Sequence, residues 1–94
     1  MEVINSCCCG LDIHKKTIVA CLISSEGKEI RNFGTMTESL LELADWLLLN
    51  NCTVVAMEST GVYWKPIYNI LEATDMEILV VNAHHIKEIG RAHV

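Results

Sequence analysis

Two apolar runs separated by only three residues constrain this chain most. CCCGLDI ends at Ile13 and TIVACLI begins at Thr17, with His14-Lys15-Lys16 between them. A connection that short joins neighbouring strands in a hairpin. The spacing predicts strands over residues 7–12 and 17–23, then a third over 28–33 after Ser24-Ser25-Glu26-Gly27, where Gly27 suits a positive φ. The three form an antiparallel meander. The first two are nearly continuous apolar runs, the pattern of strands covered on both faces. The third, KEIRNF, alternates polar and apolar residues as an edge strand does.

The remaining residues alternate helix and strand. Thr37 is the N-cap candidate for a first helix, and Thr35 with Glu38 offers a capping box one turn earlier. Leu40, Leu41, Ala44, Leu47 and Leu48 have the spacing of a buried stripe. Trp46 lies off that stripe and covers its edge, and Asn50-Asn51 supplies the stop. A fourth strand is expected over 53–58 and a turn at Ser59-Thr60-Gly61. A second helix follows over about 63–73, with Pro66 in its first turn and Ile67, Ile70 and Leu71 facing inward. A fifth strand covers 77–82. The order β-β-β-α-β-α-β makes an α/β domain in which right-handed crossovers add parallel strands to the meander.

With 94 residues, 51% hydrophobic and 20% charged, the chain is one small globular domain. Twelve acidic residues against seven basic ones give a formal charge of −5, which excludes nucleic-acid binding by a uniformly basic surface. An acidic site that meets nucleic acid through metal ions is compatible with it. No apolar run reaches the roughly 18 residues of a membrane span, and MEVINSCCCG is too short and too weakly basic for a signal peptide. The five cysteines are therefore expected as reduced thiols in a cytosol, and an odd number suits a disulfide framework poorly.

Asp12 and Glu58 are the candidate chemical residues, because each is an acid at the end of an apolar strand. If the fourth strand pairs with the first, the two carboxylates emerge side by side where open α/β sheets bind ligands. A divalent cation such as magnesium is the natural partner of such a pair. The alternative is that each acid simply ends its strand in solvent.

Other motifs have blander alternatives. Consecutive residues of Cys7-Cys8-Cys9 point to opposite faces of a strand, so they read as small hydrophobes rather than one chelate, and Cys21 and Cys52 read as core. His84-His85 lacks a third ligand at a known spacing and reads as a solvated turn. His14-Lys15-Lys16 reads equally as a phosphate contact beside Asp12 or as a charged hairpin. Tyr63, Trp64 and Lys65 read as a helix start packing on the sheet, or as groups that stack on nucleic acid.

GLDIHKKTIVACLISSEGKEIRNFGT, LADWLL, AMESTGVYWKPIYNILE and VVNAHHIK together resemble the N-terminal domain of DEDD-type insertion-sequence transposases, over about residues 9–87. DIHKK and MESTGVYWKP at this separation are the specific part. The resemblance implies an RNase H-like (RuvC-like) mixed sheet, incomplete at its C-terminus. It also implies a magnesium site of three aspartates and one glutamate acting on DNA phosphodiesters. Asp12 matches the first aspartate and Glu58 the glutamate. The other two belong to an Asp-x-x-Asp pattern after the fifth strand, and no aspartate follows Asp75. The resemblance further implies a C-terminal domain with a nucleophilic serine, a structured guide RNA, DNA as substrate, a homo-oligomer at full length and a prokaryotic cytoplasm.

Residues 1–88 are thus expected to be the front of a catalytic domain, inactive alone, with one sheet face bare and prone to association. Residues 89–94 read as a non-native tail. Ile89-Gly90-Arg91-Ala92-His93-Val94 translates a common sequencing adapter in the frame ATC GGA AGA GCA CAC GTC. The competing reading keeps Gly90-Arg91 as native. Two other functions remain open. One is an ATP-binding domain of the actin-like ATPase or sugar-kinase type, which also begins with an aspartate in a first hairpin. The other is a non-catalytic remnant.

Overall fold

A computed structural model describes residues 7–59 and 61–82. The elements are β1 (Cys8–Ile13), β2 (Thr17–Ser24), β3 (Gly27–Gly34), α1 (Thr37–Leu49), β4 (Val54–Ser59), α2 (Lys65–Leu71) and β5 (Glu77–Asn82). His84-His85, the boundary at residue 88 and the tail over 89–94 lie outside the described residues. Among those described, no helix is long and apolar enough to cross a membrane.

The strands form one sheet in the order β3-β2-β1-β4-β5. β1 pairs antiparallel with β2 and parallel with β4, and β5 adds parallel to β4. The His14 amide donates to the Thr17 carbonyl at 2.8 Å and closes the first hairpin. Gly27, at φ 130°, closes the second opposite Ser24. A side chain would be strained at that φ, so glycine belongs there.

Both connections that cross the sheet, β3–α1–β4 and β4–α2–β5, move in the same direction. Right-handed crossovers moving one way place their helices on one face. Leu11, Ile13, Ile18, Ala20, Val55 and Met57 accordingly share one buried cluster with Leu43 and Leu47 of α1 and Ile67 and Leu71 of α2. The other face is uncovered among the described residues. β1 alternates strictly, with Cys9, Leu11 and Ile13 buried and Cys8, Gly10 and Asp12 exposed. This corrects the expectation of strands covered on both faces. Ile23, Ile30 and Leu79 stand 49%, 59% and 46% exposed on the open side.

Four local expectations are also corrected. Met36, not Thr37, is the N-cap of α1, and no side chain caps it. Thr35 forms no capping box, because its hydroxyl donates to the Lys15 carbonyl at 3.1 Å and ties the helix entry to the first hairpin. The buried stripe of α1 is Leu40, Leu43, Ala44, Trp46 and Leu47, whereas Leu41 and Leu48 are each 49% exposed. Trp46 sets this rotation. Its ring packs on Phe33 with centroids 5.5 Å apart, and the Arg31 guanidinium lies 4.8 and 5.2 Å from the two ring centres. α2 is shorter than expected. Thr74 ends its connection by donating its hydroxyl to the Leu71 carbonyl at 2.6 Å and accepting the Met76 amide at 3.2 Å. The stop of α1 is as read: the Asn50 side chain donates to the Trp46 carbonyl at 2.8 Å, and Asn51 adopts φ 57°.

Candidate metal centre at the ends of two parallel strands

The parallel register of β1 and β4 sets Asp12 directly beside Glu58. Neighbouring strands lie about 4.8 Å apart, and paired residues point to the same face. Both carboxylates are exposed on the open face, at the C-terminal ends of their strands. They rim a depression of about 340 Å³ that runs back over Gly10, Cys21 and Ala56. Gly10 pairs with Cys21 on one side and Ala56 on the other, and a Cβ at Gly10 would meet nothing within 4 Å. Three small residues in one row thus form the floor. Cys21, expected in the core, is half-buried in this floor. A larger cavity of about 520 Å³, lined by Cys52, Thr53 and Asp75 among others, has Asp75 as its one carboxylate.

His14, expected beside Asp12 as a phosphate contact or as part of a charged hairpin, meets the Asp12 carboxylate itself. Its Nε2 lies 3.2 Å from Asp12 Oδ2, with both side chains more than half exposed at 57% and 58%. The i, i+2 spacing at a strand end is the signal that places the two on one side.

Two carboxylates on one face are hard oxygen donors of the kind magnesium takes, with waters completing its shell. Among the described residues, no group of three or more His, Cys, Asp or Glu side chains converges to hold an ion. At this end of the sheet β1 and β4 supply two such donors, Asp12 and Glu58.

Cys7, Cys9 and Cys52 form a separate, buried group. Burial, with the neighbouring Cys52, Cys21 and Cys7 adding to it, pushes the Cys9 thiol up to about 12. Burial first and Cys7 second push Cys52 up to about 11, and burial also raises Cys7. In the native chain an alkylating reagent should modify exposed Cys8 well before Cys7, Cys9 or Cys52. Unfolded thiols ionise near pH 8.5, whereas these stay protonated in the folded chain. Unfolding therefore releases protons above that pH. The stabilisation is whole below about pH 8.5 and is lost as pH rises towards 11–12. The melting temperature should fall between pH 8 and 10.5, and Cys9→Ala should flatten that slope. An equally steep slope in the variant would refute the assignment to Cys9.

No curated protein matches the chain. Among solved structures, Archaeoglobus fulgidus Pelota superposes with a TM-score of 0.63 at 18% identity, over 94% of this chain and 31% of that one. Fowlpox virus resolvase, solved in complex with its substrate Holliday junction DNA, superposes with a TM-score of 0.58 at 19% identity, over 81% of this chain and 60% of that one. These likenesses show the fold, which is RNase H-like, and this chain spans less than two thirds of either protein. The family model of DEDD transposases of the IS110 type, described as a transposase, matches residues 9–94. The chain belongs to the IS110 family of DEDD transposases.

Proposed function

We propose that this chain is the front part of a transposase catalytic domain that cuts and joins DNA strands, with Asp12 and Glu58 as two of its magnesium ligands. One observation carries the reading. The β1–β4 register sets the two acids side by side on the open face, at the end of the sheet. Bound magnesium supplies charge stabilisation at phosphodiester oxygens in such chemistry. The chain's own part is to hold two carboxylates at fixed spacing on paired strands, with the open face free for the phosphodiester. The Asp-x-x-Asp pair that the family places after the fifth strand has no match here, since no aspartate follows Asp75. Two acids hold one ion weakly, so this chain alone should bind a divalent cation without cleaving DNA.

Manganese, a paramagnetic stand-in, tests this. Titration followed by electron paramagnetic resonance should show about one weak site per chain, lost in Asp12→Asn. Supercoiled plasmid incubated with the chain and manganese should remain uncut. Absence of any manganese site would overturn the metal reading, and turnover would overturn the claim of inactivity.

A further inference from the structure

The formal charge of −5 is unevenly placed. The described residues include five lysines and arginines, and three of them follow the C-terminal ends of β1 and β4. Lys15 and Lys16 form the β1–β2 turn, and Lys65 opens α2 after β4. All three are exposed. Arg31 is occupied over Phe33 and Trp46, and Lys28 lies at the opposite end of the sheet. That opposite end carries Glu26 in the β2–β3 turn, and Glu72, Asp75 and Glu77 around the α2–β5 connection. The three lysines thus lie at the same end of the sheet as the acid pair, Lys15 and Lys16 on the turn that follows Asp12 and Lys65 on the helix-covered side, with Glu38 in the first turn of α1 as a further acid at that end.

The turn that carries two of these lysines is held from two sides. The His14 amide binds the Thr17 carbonyl, and the Lys15 carbonyl accepts the Thr35 hydroxyl. The His14 ring lies on Asp12, so the same turn that presents the lysines also touches the first acid. A phosphate backbone approaching two carboxylates is repelled unless fixed cations beside them offset that repulsion.

We propose that Lys15, Lys16 and Lys65 form a phosphate clamp that seats a DNA strand across the Asp12–Glu58 end of the sheet. The clamp rests on the reading that this end of the molecule acts on DNA, but it needs no metal. It contacts backbone, so it positions the strand without reading its sequence.

The test is fluorescence anisotropy with a labelled 30-base-pair duplex in EDTA, across 20–200 mM salt. Each duplex phosphate contact contributes about 0.9 to the slope of log affinity against log salt. Lys15→Ala with Lys16→Ala should reduce the slope by about 1.8 and weaken binding on the order of tens-fold at 0.1 M salt. Lys65→Ala should reduce it by about 0.9, and Lys28→Ala should leave it unchanged. Far-UV circular dichroism of each variant checks that the fold is kept. Three results would overturn the clamp: no DNA binding by the unaltered chain, an unchanged slope in the double variant, or an equal loss in Lys28→Ala. Loss of manganese binding in Asp12→Asn with the lysine slopes as expected supports both readings. Lysine slopes as expected with no manganese site would leave the clamp standing and remove the metal.

Discussion

Leu43→Ala should remove more than half of the stability of this chain. Leu43 is fully buried at the centre of the α1 face that meets the sheet. Truncating a leucine in such a site costs about 3–4 kcal/mol, from lost burial and from the cavity that remains. A chain this short has on the order of 5 kcal/mol in total, and here no helix packs on one sheet face among the described residues. In urea the unfolding midpoint should fall by about 2 M or more, given a slope of about 1–1.5 kcal/mol/M. Leu41→Ala is the matched control, because Leu41 is 49% exposed on the same helix. It should cost less than about 1 kcal/mol. Equal losses at the two positions would show that α1 packs by another stripe.

That pair of leucines also shows where sequence patterning fails. α1 reads TESLLELADWLLL, and six of its thirteen residues are leucine. Two overlapping stripes then satisfy the helical period equally well. The choice between them comes from Trp46 meeting Phe33 and Arg31 of β3, a contact between residues distant in the chain. The strands were legible for the opposite reason. Short connections at His14-Lys15-Lys16 and at Gly27 permit little besides a meander, and the helical crossovers then fix the direction of β4 and β5. The bare face was half legible. CCCGLDI looks apolar on both sides because cysteine and glycine are small and uncharged, and such residues do not reveal whether anything covers them. The same smallness at Gly10, Cys21 and Ala56 makes the floor of the depression beside the acids. The neighbouring placement of Asp12 and Glu58 followed from strand order, whereas the His14 contact depends on a turn conformation that residue types do not specify.

Glu58→Gln should separate a metal site from two acids that merely end their strands. Side by side at the ends of β1 and β4, the carboxylates repel each other when no cation is present. Two unit charges about 5 Å apart in water cost about 0.8 kcal/mol, and salt screens this further. In EDTA and low salt, removing the Glu58 charge should therefore raise the melting temperature by a few degrees. Magnesium at tens of millimolar should stabilise the unaltered chain, because an ion that binds only the folded state shifts unfolding by mass action. It should leave Glu58→Gln nearly unmoved, since one carboxylate remains. Asp12→Asn is less clean, because it also removes the His14 pair, so Glu58 is the position to change first. Acids that only face solvent would give a small rise in EDTA with an equal response of both proteins to magnesium. A rise in EDTA together with a lost magnesium response requires that the two carboxylates share one ion.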